Sequence, residues 1–180
     1  MSETNGHSAI EIRLREISQL FNSLDPSPFL EKDLDSDAED HIVGWARDVP
    51  AADRLTIVVH LPEAEAVRPN ARELGGSLAN YFAYRAEGAS RELRELFRRG
   101  RWSLSVGLPV LLLCLIGSQL ARSLAGEHPL ARLIAESLII LGWVANWNPI
   151  ELFLYKWGPI ARQRDLYRRL AAADVKVIGY

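Results

Sequence analysis

Two apolar stretches in the second half of the chain dominate its hydrophobic pattern. From Ser103 to Ala121 the sequence SLSVGLPVLLLCLIGSQLA carries no ionisable group except Cys114. About 20 apolar residues are what a helix needs to cross the hydrocarbon core of a bilayer. From Leu130 to Asn148 the sequence LARLIAESLIILGWVANWN is of similar length but is interrupted by Arg132, Glu136 and Asn146. Only RSLAGEHP separates the two. Either stretch taken alone could be the core helix of a soluble protein; the pair in tandem predicts a transmembrane helical hairpin over 102–148.

The pattern before the hairpin is that of a folded domain. IEIRLREI, from Ile10, alternates apolar and charged positions as a strand with one buried face does. Ile17, Leu20, Phe21 and Leu24 then follow helical spacing, predicting a short helix that stops at Asp25-Pro26. Ser36 with Glu39 three positions on has the form of a capping box. It predicts a helix from Asp37 to Arg47 whose apolar side is Ile42, Val43, Trp45 and Ala46. RLTIVVHLP, from Arg54 to Pro62, is the strongest strand signal and predicts a central strand. Helical spacing resumes from Glu63, with a break near Pro69 and Asn70. It continues through Leu74, Leu78, Tyr81, Phe82, Arg85, Ala89, Leu93 and Leu96, supported by the pairs Glu87–Arg91 and Glu95–Arg99. Such a helix can run on into the first span and act as a lever between domain and membrane.

Behind the hairpin, Asn148-Pro149-Ile150-Glu151 has helix-start chemistry, an Asn cap followed by proline. Gly158-Pro159 predicts a break before IARQRDLYRRLAAAD, read as a basic amphipathic helix from Ile160 to Ala173. VKVIGY is a closing strand with Thr56–His60 as its expected partner.

Charge then orients the hairpin. Lys and Arg in short flanking segments stay on the cytoplasmic side. Arg91, Arg94, Arg98, Arg99 and Arg101 precede the first span, and Lys156, Arg162, Arg164, Arg168 and Arg169 follow the second. Both termini are therefore expected in the cytoplasm. Trp102, Trp143, Trp147, Tyr155 and Trp157 fit the interfacial aromatic belt. Whole-chain composition conceals all this: a net charge of −2 with 24% charged residues resembles a soluble domain. The basic clusters of Arg98, Arg99, Arg101, Lys156, Arg162 and Arg164 stand where anionic lipid headgroups would meet them. A nucleic-acid partner is not expected, because the domain shows no basic face.

Catalytic signals are weak. The sole cysteine, Cys114, lies within the first span, so no internal disulfide and no CxxC motif is expected. The N-terminal MSETNGHSAI is polar and has no signal-peptide character. Asp33, Asp35 and Asp37 begin an EF-hand spacing, but Ala38 and Gly44 stand where its Gly and Glu are required. The plainer reading places these acids at a helix N-terminus facing water. Gly75-Gly76-Ser77-Leu78-Ala79 approaches a nucleophile elbow without its final glycine, within helical sequence. Small residues for close packing explain it better. His7, His41, His60 and His128 are scattered; His60 beside the acidic run is the one candidate for a cytoplasmic site. No phosphate-binding glycine loop is present. Arg132 and Glu136 are one turn apart and able to neutralise each other. Ionisable groups within a span are functional candidates. Gly117 and Ala121 form a small-xxx-small pair suited to helix packing.

Through FNSLDPSPF and its following acids, NYFAYR, and WVANWNPIELFLYKWGPI, nearly the whole chain resembles a family of uncharacterised bacterial proteins with two transmembrane helices. The resemblance implies that topology and brings no activity, cofactor or catalytic residue. Together these features predict an α+β fold: a disordered lead at 1–8, a small cytoplasmic mixed domain at 9–101, and the hairpin at 102–148. An interfacial and amphipathic helix with a strand returning to the domain would complete the chain at 149–180. The expected role is a membrane-anchored interaction or assembly module of the inner (plasma) membrane, non-enzymatic and without cofactor. Its partners would be anionic lipid and either a second copy or another membrane protein. One competing role is a subunit of a small oligomeric channel or transporter using Glu136 and Asn146; a second is a membrane-associated enzyme using His60 with the acidic run from Asp33 to Asp40.

Overall fold

A computed structural model of the chain describes residues 7–22, 28–29, 32–125 and 128–180. Residues 1–6 of the lead expected over 1–8, and the helix stop at Asp25-Pro26, lie outside them, while His7 and Ser8 open a strand. The chain divides into two units, Met1–Ala89 with Arg162–Tyr180, and Ser90–Ala161.

The first unit is a mixed α+β domain around a three-stranded sheet in the order β1-β2-β3. Strand β1 is His7–Arg13, β2 is Arg54–Leu61 and β3 is Asp174–Gly179. Both pairings are parallel, with Ile10 beside Ile57 and Ile57 beside Val175. Parallel strands need crossovers, and helices supply them. The central strand is buried at Leu55–Val59 and again at Leu61, as a strand covered on both faces should be. Its β-branched run serves that position.

Helix α1, Ser36–Asp48, buries Ile42, Val43 and Ala46. Trp45, expected on that apolar side, is 56% exposed instead. It lies about 100° from the mean direction of Ile42, Val43 and Ala46 on a 3.6-residue helix, so the buried stripe passes it by. The cap also differs from expectation. Asp35 is the N-cap, and its Oδ1 accepts from the Asp37 amide at 3.0 Å. Ser36 is thereby the first helical residue, and no Ser36–Glu39 box forms. The helix expected over Ile17–Leu24 is reduced to a single 3-10 turn, Ile17–Leu20. Phe21 turns extended and bridges Leu34 in antiparallel fashion. Burying Leu20, Phe21 and Leu34 together outweighs continuing a short helix.

Helix α2, Glu63–Ala66, is followed by α3, which begins at Pro69 and runs to Ala125. Within the domain α3 buries Leu74, Leu78 and Phe82 completely. At Gly75 it passes beside β3, where a Cβ would rest in ordinary contact with Val175 at 3.5 Å.

The second unit is helical. Helix α4, Pro129–Glu151, starts with His128 as N-cap and Pro129 at the first turn. The restart expected at Asn148-Pro149 does not occur, because α4 runs through Pro149. Nor does Gly158-Pro159 break the chain. A π-type turn, Leu152–Lys156, leads directly into α5, Trp157–Ala171. Proline costs a helix one hydrogen bond and some straightness. Widened turns of this kind are one way a helix absorbs such an interruption.

Candidate functional site

Two helices are long and apolar enough to cross a membrane, and their side chains are arranged inside out. In the most apolar windows of Pro69–Leu124 and Pro129–Ala171 only 17% and 22% of residues are buried. The core helix of a soluble protein would be mostly buried. Here Leu112, Leu113, Ile116, Leu133, Ile140 and Val144 face outward. Monomeric soluble proteins rarely expose contiguous apolar surface on that scale.

Within this unit the buried residues of the two helices are small or polar, with the partly buried Leu111 and Leu138 packed onto them. On α3, Gly100, Gly107, Cys114 and Ser118 are buried; on α4, Ala131, Ala135, Gly142, Asn146 and Pro149 are. The spacings of 7, 7 and 4, and of 4, 7, 4 and 3, trace one seam along each helix. A Cβ on Gly142 would sit 2.8 Å from Leu111 Cδ1 and 3.2 Å from Cys114 Cβ. Small residues on the facing sides let the two backbones approach closely. Gly117 takes part, since a Cβ there would lie 3.3 Å from Leu138 Cδ1. The longer seam through Gly107 and Gly142 was signalled in the sequence by glycines at heptad-like distances from Cys114 and Asn146.

Asn146 anchors the seam. It is 4% exposed, and its Nδ2 donates to the Gly107 carbonyl at 2.9 Å and to the Gly142 carbonyl at 3.0 Å. Its Oδ1 accepts no hydrogen bond from a described residue. Arg132 and Glu136 do meet, Nε to Oε1 at 3.1 Å, on an exposed face of α4. Asn146 and Glu136 therefore present to different surroundings, one a helix–helix seam and one the outside.

The basic residues occupy two settings. Arg98 and Arg99 both pair with Glu95, the Arg99 Nε at 2.9 Å, and Arg101 is exposed immediately before Trp102. Hydrogen bonds from Arg99 and then Arg98 hold the Glu95 carboxyl below its usual range. Lys156 pairs with Glu151 at 3.3 Å. On α5, Arg162 is exposed and Arg164 pairs with Asp165 at 2.8 Å.

His60 lies on β2, its Nε2 3.7 Å from the Glu11 carboxylate on β1. Asp35 and Asp37 stand at the head of α1, with Asp33 on the bridged segment before it. Among the described residues no three His, Cys, Asp or Glu side chains gather as a metal site. Ser77 is buried within α3 and donates to the Phe29 and Glu73 carbonyls, so its hydroxyl is engaged structurally.

Sequence reasoning missed a polar cluster in the domain. Glu39 of α1 accepts from Tyr81 Oη at 2.7 Å, from Arg85 Nε at 3.0 Å, and from Tyr167 Oη at 3.1 Å. Gln163 of α5 donates to Tyr167 Oη at 3.0 Å. The Arg85 guanidinium also lies over the Tyr167 ring, 5.4 Å from its centroid. Burial, then the bond to Glu39, pushes the Tyr81 hydroxyl well above its usual range. For Arg85 burial acts downward, but the bond and charge of Glu39 outweigh it and raise the guanidinium. The cluster joins three helices with satisfied partners, which suits a structural tie rather than an acid–base centre. Its signal in the sequence was Arg85 itself, a charge inside an otherwise apolar helical stripe.

No family model matches this chain, and no curated protein or solved structure is significantly similar to it. The resemblance to two-span membrane proteins thus rests on its three motifs, and the two long apolar helices are what the structure adds.

Proposed function

We propose that this chain is an integral membrane protein in which α3 and α4 form a transmembrane hairpin that anchors the α+β domain as an interaction or assembly module. The carrying observation is the outward exposure of large apolar side chains around both helices while small and polar ones face each other. In this reading both termini are cytoplasmic, following the Arg and Lys residues that flank the spans. The bilayer is the plasma membrane. A pore around Glu136 and Asn146 has less support, because the Asn146 Nδ2 is held by two backbone carbonyls within the seam while Glu136 pairs with Arg132 on an exposed face.

Single-cysteine labelling tests the proposal. In a Cys114→Ala background, a membrane-impermeant maleimide should label Ser123→Cys in intact cells, and Asp40→Cys and Ala172→Cys only after lysis. Recovery of the protein in the soluble fraction would defeat the anchor; the reverse labelling pattern would defeat the orientation.

A further inference from the structure

The hairpin carries a groove of about 720 Å³ between its helices, lined mostly by apolar atoms and cationic at one end. Val106 and Val110 of α3 and Ala145 of α4 form its apolar walls, and Ser103, Gly107 and Asn148 complete the lining. Arg98, Arg99 and Trp102 stand at its mouth, with Glu95 beside them. Pockets of this size hold single small molecules or segments of larger ones.

We infer that this groove binds one anionic phospholipid of the inner leaflet, its phosphate on Arg98 and Arg99 and the upper part of an acyl chain along Val106, Val110 and Ala145. The inference rests on the transmembrane reading above. Three features select an amphiphile over a free anion or a peptide. The charge is confined to one end. Val106, Val110 and Ala145 offer an acyl chain a contact that a soluble phosphate cannot use. Trp102 stands at the level where aromatic rings meet headgroups. The dimensions agree as well: eight residues separate Trp102 from Val110, roughly 12 Å along a helix, within the roughly 15 Å of one leaflet's hydrocarbon.

Glu95 sets the balance at the mouth. Both guanidiniums already share its carboxylate, so the trio keeps one net positive charge and holds the two forks near each other. A phosphodiester, which accepts bidentate bonds from arginine, competes with Glu95 for them. Removing the Glu95 charge should therefore strengthen the site for an anionic lipid. A headgroup ammonium would need that carboxylate, and its binding would weaken instead.

The test uses the full chain in nanodiscs of phosphatidylcholine with minor phosphatidylglycerol and phosphatidylethanolamine, released into mild detergent for native mass spectrometry. One phosphatidylglycerol per chain is expected to persist, and to persist more in Glu95→Gln. Arg98→Gln with Arg99→Gln should reduce retention roughly 30-fold, from the usual value of a surface arginine toward anionic lipid. Ala145→Phe, which fills the groove and touches no charge, should abolish retention while helicity by circular dichroism is unchanged. Insertion with no enrichment of phosphatidylglycerol would overturn the site and leave the anchor standing. Enrichment of phosphatidylethanolamine lost in Glu95→Gln, or release of the lipid by millimolar inorganic phosphate, would also overturn it. Failure to enter the nanodisc would remove anchor and site together.

Discussion

Asn146 reaches from α4 to the backbone of α3 at Gly107, its Nδ2 2.9 Å from the carbonyl, where a side chain on residue 107 would collide with it. A Cβ there would lie 2.7 Å from Asn146 Oδ1 and 3.3 Å from the Ala145 carbonyl. Gly107→Ala must push the amide off its carbonyls or part the helices. Asn146→Ala removes the same bonds from the other side. Each is expected to cost about 1 kcal/mol, the scale of interhelical hydrogen bonds in membranes. The double variant should cost less than the two together, because both changes break one contact. Denaturation in mixed SDS micelles measures this; strict additivity would mean that the contact contributes nothing to hairpin stability.

Much of the fold was legible because its strongest signals are one-dimensional. Arg54–Leu61 announces a buried central strand through an unbroken β-branched run, and the apolar windows announce themselves by length. What was not legible depends on partners distant in sequence. Glu39 fits a cap for Ser36 in the local pattern, yet Tyr81, Arg85 and Tyr167 claim its carboxylate from two other helices. Pro149 fits a helix start locally, yet it is buried in the seam and α4 continues through it. Of the candidate site, Arg132 with Glu136 followed from spacing, whereas the groove between helices needed their registration, which no single helix encodes.

The two assignments for the head of α1 separate by mutation. Asp35→Ala removes the bond to the Asp37 amide and should cost about 1 kcal/mol, as N-cap truncations do. Ser36→Ala should be close to neutral. Thermal unfolding followed by circular dichroism distinguishes them, and a larger loss at Ser36 would restore the capping box.

Glu39→Gln tests the three-helix tie. It leaves Arg85 without its carboxylate, though the Arg85 side chain is 42% exposed and water compensates in part. A loss of about 2 kcal/mol is expected, near that of a charge-assisted hydrogen bond. Tyr167→Phe, which keeps the ring on Phe82 and Arg85, should lose about half as much. Urea titration of the detergent-solubilised protein, read by near-UV circular dichroism, reports both. Wild-type stability in Glu39→Gln would remove the tie.

The same cluster gives the domain an alkaline weakness. Folding holds the Tyr81 hydroxyl protonated beyond its ordinary range, by burial first and then by Glu39. In the unfolded chain tyrosine ionises near pH 10. Above that pH the unfolded state releases a proton that the native state keeps, so stability falls as pH rises from about 10 upward. Below pH 10 Tyr81 contributes its full share. Tyr81→Phe should flatten this part of the stability profile while lowering the plateau beneath it. An unchanged alkaline slope in the variant would assign the loss to other groups.

Arg169 of α5 closes the loop between α1 and β2. Its guanidinium donates to the carbonyls of Val49, Pro50 and Asp53, the shortest at 2.7 Å to Pro50. Those carbonyls follow the C-terminus of α1, where a cation also meets the negative end of the helix dipole. Lysine cannot replace it, since a single ammonium lacks the planar fork that spans three acceptors. Arg169→Lys is thus expected to lose about 1 kcal/mol, and Arg169→Ala about 2 kcal/mol. Hydrogen exchange should locate the effect, with amides of Ala51–Asp53 and the first residues of β2 exchanging faster in both variants. Faster exchange confined to α5 would show that Arg169 serves its own helix and not the loop.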